Sequence, residues 1–106
     1  EGATQLPGDA TVGGTVFNAT GNLPCLIGNR ERQCRFGVVR RGNGNASLYV
    51  NLPSGIQRRI EFEGGRAVSS NAQGGVHAEF TGRGSSIVYI GTTERFTVMD
   101  AILFGG

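Results

Sequence analysis

Residues 36–62 read FGVVRRGNGNASLYVNLPSGIQRRIEF. Three short runs of β-type residues are separated by two glycine-containing turns, and this pattern limits the fold more than any other. In the second turn, Leu52 and Ile56 flank Pro53-Ser54-Gly55. Proline presets φ, and glycine takes the left-handed conformation that closes a three-residue hairpin loop. Pairing Leu52 with Ile56 places Val50 opposite Arg58, Leu48 opposite Ile60 and Ala46 opposite Phe62, all on one face, because strand side chains alternate. The other face carries Ser47, Tyr49 and Asn51 opposite Glu61, Arg59 and Gln57. One face is apolar except for Arg58 and the other polar except for Tyr49, as in a half-buried antiparallel sheet. Arg58 is expected at the sheet margin, its stem on the core and its head in water. The first turn, Arg41-Gly42-Asn43-Gly44-Asn45, joins residues that tolerate positive φ. It brings Phe36 and Val38 onto the apolar face beside Val50 and Leu48.

The remaining chain follows the same rhythm. Residues 1–13 are small, polar and interrupted by glycine and proline, which reads as a flexible lead-in. A single β-domain is expected over residues 14–106. Residues 14–20 (GTVFNAT) are expected as a first strand, with Val16 and Phe17 its apolar content. Gly21-Asn22-Leu23-Pro24 reads as a turn, and LIGNRERQ as a loop between the cysteines. A short strand starts at Arg66 and fades into a polar loop near Ser69. VHAEFT alternates, with Val76, Ala78 and Phe80 inward and His77, Glu79 and Thr81 outward. SIVYI reads as a central strand, ERFTVM as the next, and DAILF as a last strand. About eight strands with turns every 8–12 residues predict a small antiparallel β-sandwich or β-barrel.

Composition agrees. With 106 residues, 19 glycines and 3 prolines, the chain holds one core. It has too little alanine and leucine for long helices. No apolar run is long enough to span a membrane, and the first residues lack the pattern of a signal peptide. Cys25 and Cys34 are too few for a structural zinc site and are not spaced as C-x-x-C. A small chain with a thin core gains from a crosslink, so a Cys25–Cys34 disulfide is expected, and with it an oxidising compartment such as a periplasm or the cell exterior.

All ten basic residues are arginine, which reads most simply as coding bias. Net charge is +2, too small for a general nucleic-acid binder. The charge is uneven, however. Arg30, Arg32, Arg35, Arg40 and Arg41 gather in or near the expected disulfide loop and first hairpin, while Tyr49 and Arg59 face outward on the adjacent sheet. Arginine with tyrosine is typical of protein contact surfaces and of sites for anions. These seven residues are the candidate binding surface.

Other chemistry is weaker in the sequence. His77 is the only histidine, so a His-based hydrolase must use it with a carboxylate, yet no G-x-S-x-G marks a nucleophile. His77 with Glu79 and either Asp100 or Glu61 is the only metal-ligand combination to weigh, and such pairs arise by chance on polar strand faces. Glu61 and Glu63 share a strand face, but Arg59 beside them indicates a surface charge pair. GNGN and GGRAV do not join a strand to a helix, as a phosphate cradle would. No cofactor motif is present.

Two stretches, ATGNLPCLIGNRERQCRFGVVRRGNGNASLYVNLPSGIQRRIEFEGGRAV and ERFTVMDAILFGG, resemble a family of small exported proteobacterial proteins of uncharacterised role. The shared elements are Cys25 after a turn proline, Cys34 before Phe36-Gly37-Val38, the turn at residues 42–44, Pro53 to Arg58, and Glu94 to Gly106. Met99 stands where the family pattern has a proline. The resemblance implies export and the disulfide, and transfers no catalytic residue. Together these readings predict a non-enzymatic exported domain, periplasmic or secreted, that binds a protein or cell-envelope component through the arginine-rich surface. The alternatives are a small hydrolase using His77 and a carboxylate, and binding of an anionic polysaccharide or nucleic acid.

Overall fold

The computed structural model describes residues 10–105. Eight antiparallel strands form one sheet: β1 (Ala19–Ile27), β2 (Arg30–Gly42), β3 (Asn45–Asn51), β4 (Gln57–Glu63), β5 (Arg66–Ser70), β6 (Val76–Phe80), β7 (Ser85–Ile90) and β8 (Glu94–Met99), followed by a short helix, α1 (Asp100–Phe104). The strand order is β5-β4-β3-β2-β1-β8-β7-β6. The sheet curls until its two edge strands, β5 and β6, approach each other, which makes a nearly closed barrel. Across the seam the Arg66 guanidinium stacks on Phe80, 5.2 Å from the ring centre.

The two central hairpins follow the alternation of the sequence. Residues 46, 48 and 50 pair with 62, 60 and 58, and Phe36 and Val38 pair with Val50 and Leu48. The Leu52 N–H donates to the Ile56 carbonyl at 2.9 Å, closing the loop at Gly55 with φ of 94°. Asn43 and Gly44 both have positive φ, the two-residue turn whose twist matches the flanking strands.

Other expectations are corrected. The first strand starts at Ala19, and residues 21–24 lie within it, not in a turn. Gly21 leaves room there for the Phe36 ring, which a Cβ would crowd at 3.2 Å. The ladder from β1 to β8 stops at Cys25, just before Pro24, which has no N–H to donate. The segment between the cysteines is the end of a hairpin, with Leu26 and Ile27 paired to Glu31 and Arg30. The disulfide forms between Cys25 and Cys34, both buried, with Cα atoms 6.0 Å apart. Phe80, expected inward, is half exposed beneath Arg66. DAILF is a helix rather than a strand. The lead-in expected over residues 1–13 falls mostly outside the described residues.

The core lies inside the barrel and includes Val38, Leu48, Ile60, Phe62, Val88, Phe96 and Val98. Each barrel end has its own closure. At one end α1 inserts Leu103, 1% exposed, while Phe104 lies on Gly44 and Gly65, where no Cβ would fit. At the other end Arg58 turns inward. Its Nε and Nη2 donate to the two Glu94 carboxylate oxygens, each at 2.7 Å, and Nη1 donates to Asn71 Oδ1 at 3.0 Å. Arg58 is therefore not a marginal residue with its head in water. It crosses the barrel mouth to a strand that is not its neighbour in the sheet. Among the described residues no helix is long and apolar enough to cross a membrane.

Candidate functional site

Strand geometry separates the candidate arginines. Arg30 and Arg40 lie on the same strand, and ten residues at a rise of about 3.3 Å put roughly 33 Å between them. Arg30 and Arg32 are exposed near the β1–β2 turn. Arg32 borders a hollow of about 300 Å³ on the outer face of β1 and β8, with Pro24, Leu26, Ile87 and Arg95. Arg40 stands at the opposite end, where its Nε donates to the Ile102 carbonyl at 2.8 Å and its backbone N–H to Asn18 Oδ1 at 2.7 Å. It holds α1 against the barrel. Arg41 donates to Ser47 Oγ at 2.9 Å and pairs with Glu61 at 3.1 Å. Neither belongs to the same surface as Arg30 and Arg32.

Arg35, Tyr49 and Arg59 do come together, on the outer face of β2, β3 and β4. Thr20 pairs with Gly37, Gly37 with Tyr49, and Tyr49 with Arg59, which makes one cross-strand row. In the next row Asn22 pairs with Arg35 and Asn51 with Gln57. Alternation aims all these side chains outward. Arg59 Nε pairs with Glu61 Oε2 at 3.1 Å. Among the described residues no carboxylate pairs with Arg35.

The chain preceding β1 lies across this face as a strap. The Val12 N–H donates to the Phe17 carbonyl at 2.7 Å and the Asn18 N–H to the Val38 carbonyl at 2.8 Å. Phe17 rests on Gly37, where a Cβ would stand 2.5 Å from its ring, and meets Tyr49 at a centroid distance of 5.6 Å. Between strap and sheet is a hollow of about 220 Å³ lined by Thr20, Arg35, Tyr49, Asn51, Gln57 and the Phe17 ring. Arg35, Tyr49 and Arg59 are legible in the sequence as surface candidates, whereas the amides and Phe17 are not. The available signal was Gly37, because a glycine inside a strand often marks a close approach.

The remaining candidates are dispersed. His77 and Glu79 are neighbours on the outer face of β6, with Nε2 3.3 Å from Oε2, and His77 stacks beside Tyr89 at 5.8 Å. Glu61 belongs to β4 and Asp100 to the start of α1, so neither joins them. Among the described residues no group of three or more His, Cys, Asp or Glu side chains is placed to hold a metal. The titration of Arg58 is displaced. Its hydrogen bonds to Glu94 raise its pKa above the ordinary arginine value, outweighing the opposite effect of burial. No protein-family model, curated protein or solved structure matches the chain.

Proposed function

We propose that this protein is a non-enzymatic binding module of an exported, oxidising compartment. On this reading it holds a protein or cell-envelope component against the outer face of β2, β3 and β4. The observation that carries the reading is Arg35: an exposed arginine without an ion pair among the described residues, set beside Tyr49, Asn51 and Gln57 at the edge of a hollow. An unpaired guanidinium beside an aromatic wall is suited to a carboxylate or phosphate. The disulfide supports the compartment, since such bonds persist where thiols are not kept reduced. The resemblance to exported proteins points the same way.

The arginine surface of this proposal is narrower than the sequence suggested. It keeps Arg35, Tyr49 and Arg59. Arg40 holds α1, Arg41 shares Glu61 with Arg59 at the margin of the face, and Arg30 and Arg32 stand apart from it. A photoreactive phenylalanine analogue placed at Gln57 tests the proposal in envelope extract. It is expected to cross-link a component that the same analogue at Glu79 does not. Equal labelling from both positions, or none from Gln57, counts against the proposal.

A further inference from the structure

We infer that the hollow between the strap and the sheet is a subsite for one carboxylated sugar residue of a larger saccharide. This rests on the reading of the face as a contact surface and names its occupant. The lining supplies three kinds of chemistry. Arg35 offers the planar fork that grips a carboxylate with two parallel hydrogen bonds. The Thr15 hydroxyl is taken up within the strap by the Val12 carbonyl and the Phe17 N–H, but Asn51 and Gln57 carry amides and Thr20 a hydroxyl. Each of these presents a donor and an acceptor, which is what adjacent ring hydroxyls need. Phe17 and Tyr49, tilted by 50°, form an apolar wall against which the C–H face of a sugar can pack. No acidic side chain lines the hollow.

Size and backbone select against the other anions. At about 220 Å³ the hollow is below the roughly 300–1,000 Å³ of sites for drug-sized ligands, so it takes a single ring. A peptide strand has no edge to join here, because β2 and β3 each already have a neighbour on both sides. A nucleic acid needs a basic track, whereas here Arg41 and Arg59 are both engaged by Glu61 and Arg35 is the one arginine among the described residues that line the hollow.

Titration of the isotope-labelled chain with short oligouronides, followed by amide NMR, tests this. Galacturonate and glucuronate oligomers are expected to shift Gly37, Tyr49, Asn51 and Gln57. Their methyl esters are expected to bind at least tenfold more weakly, as are the free acids to Arg35→Gln. Gln57→Ala, a surface change that leaves the fold intact, is expected to weaken binding several-fold. A polyglutamate peptide is expected to leave these amides unmoved. Methyl esters that bind as well as the acids overturn the inference. So do polyglutamate shifting the same amides, and absence of any oligouronide shift. If the Gln57 cross-link survives such a result, the contact face stands and only the sugar assignment falls; loss of that cross-link as well removes both.

Discussion

Arg58 on β4 and Glu94 on β8 join across the barrel interior through two hydrogen bonds of 2.7 Å, with 11% and 12% of their side chains exposed. Removing one partner leaves a largely buried charge alone, which typically costs about 3–5 kcal/mol. Arg58→Met is therefore expected to lower the urea midpoint sharply. The double variant Arg58→Met/Glu94→Leu is expected to recover most of that loss, because apolar groups of similar volume replace such pairs at little net cost. A double variant no more stable than Arg58→Met would show that the pair is not what closes this end.

The same pair sets a pH expectation. The folded pKa of Arg58 is raised, so its contribution is complete below the ordinary arginine range and is lost only as pH climbs through the raised value. The stability difference between wild type and Arg58→Met should thus stay constant from neutral to moderately alkaline pH. Chemical denaturation at several pH values checks this, and a difference that shrinks before the arginine range is reached contradicts it.

The disulfide between Cys25 and Cys34 closes a loop of about ten residues, for which chain entropy gives roughly 2.7 kcal/mol. The variant Cys25→Ala/Cys34→Ala should lose about that much, read as a lower denaturation midpoint with a slope equal to or steeper than that of the wild type, because the released chain unfolds to a less compact state. Unreduced protein should show no free thiol by mass spectrometry after alkylation.

Two glycines with left-handed backbone separate conformational strain from crowding. Gly28 has open space around it, whereas a Cβ at Gly44 would stand 2.6 Å from the Gly65 backbone nitrogen. Gly28→Ala should cost about 1–2 kcal/mol through backbone conformation alone. Gly44→Ala should cost about 1–3 kcal/mol more through overpacking. Equal losses in thermal or urea denaturation would contradict the close approach of the two turns.

These contrasts show what the sequence disclosed. The hairpins from Phe36 to Phe62 were legible because local alternation and turn chemistry suffice to set their register. Arg58 broke that alternation visibly, but its partner lies on a distant strand, and no local pattern marks Glu94. Residues 21–24 carry turn residue types yet form strand, because Gly21 accommodates the Phe36 ring and Pro24 falls where a ladder stops. DAILF bends into a helix because Leu103 finds the open barrel end, a tertiary reward invisible locally. The candidate site was half legible for the same reason. Tyr49 and Arg59 share a hairpin, whereas Phe17 and Arg35 meet them only through the folded sheet.

His77→Ala should change stability by no more than about 0.5 kcal/mol, as surface substitutions do, and leave partner binding intact. Loss of binding in this variant would transfer attention from the β2–β4 face to the outer face of β6.

The most direct measurement compares retention of wild type, Arg35→Glu and Arg83→Glu on immobilised envelope extract over a concentration series. Both arginines are exposed and without an ion pair among the described residues, but Arg83 lies on the β6–β7 turn, away from the strap. The predicted result is at least a tenfold loss of affinity for Arg35→Glu, about 1.4 kcal/mol or more, with Arg83→Glu within twofold of wild type. Equal retention of all three, or equal loss in both variants, would contradict a contact face on β2, β3 and β4.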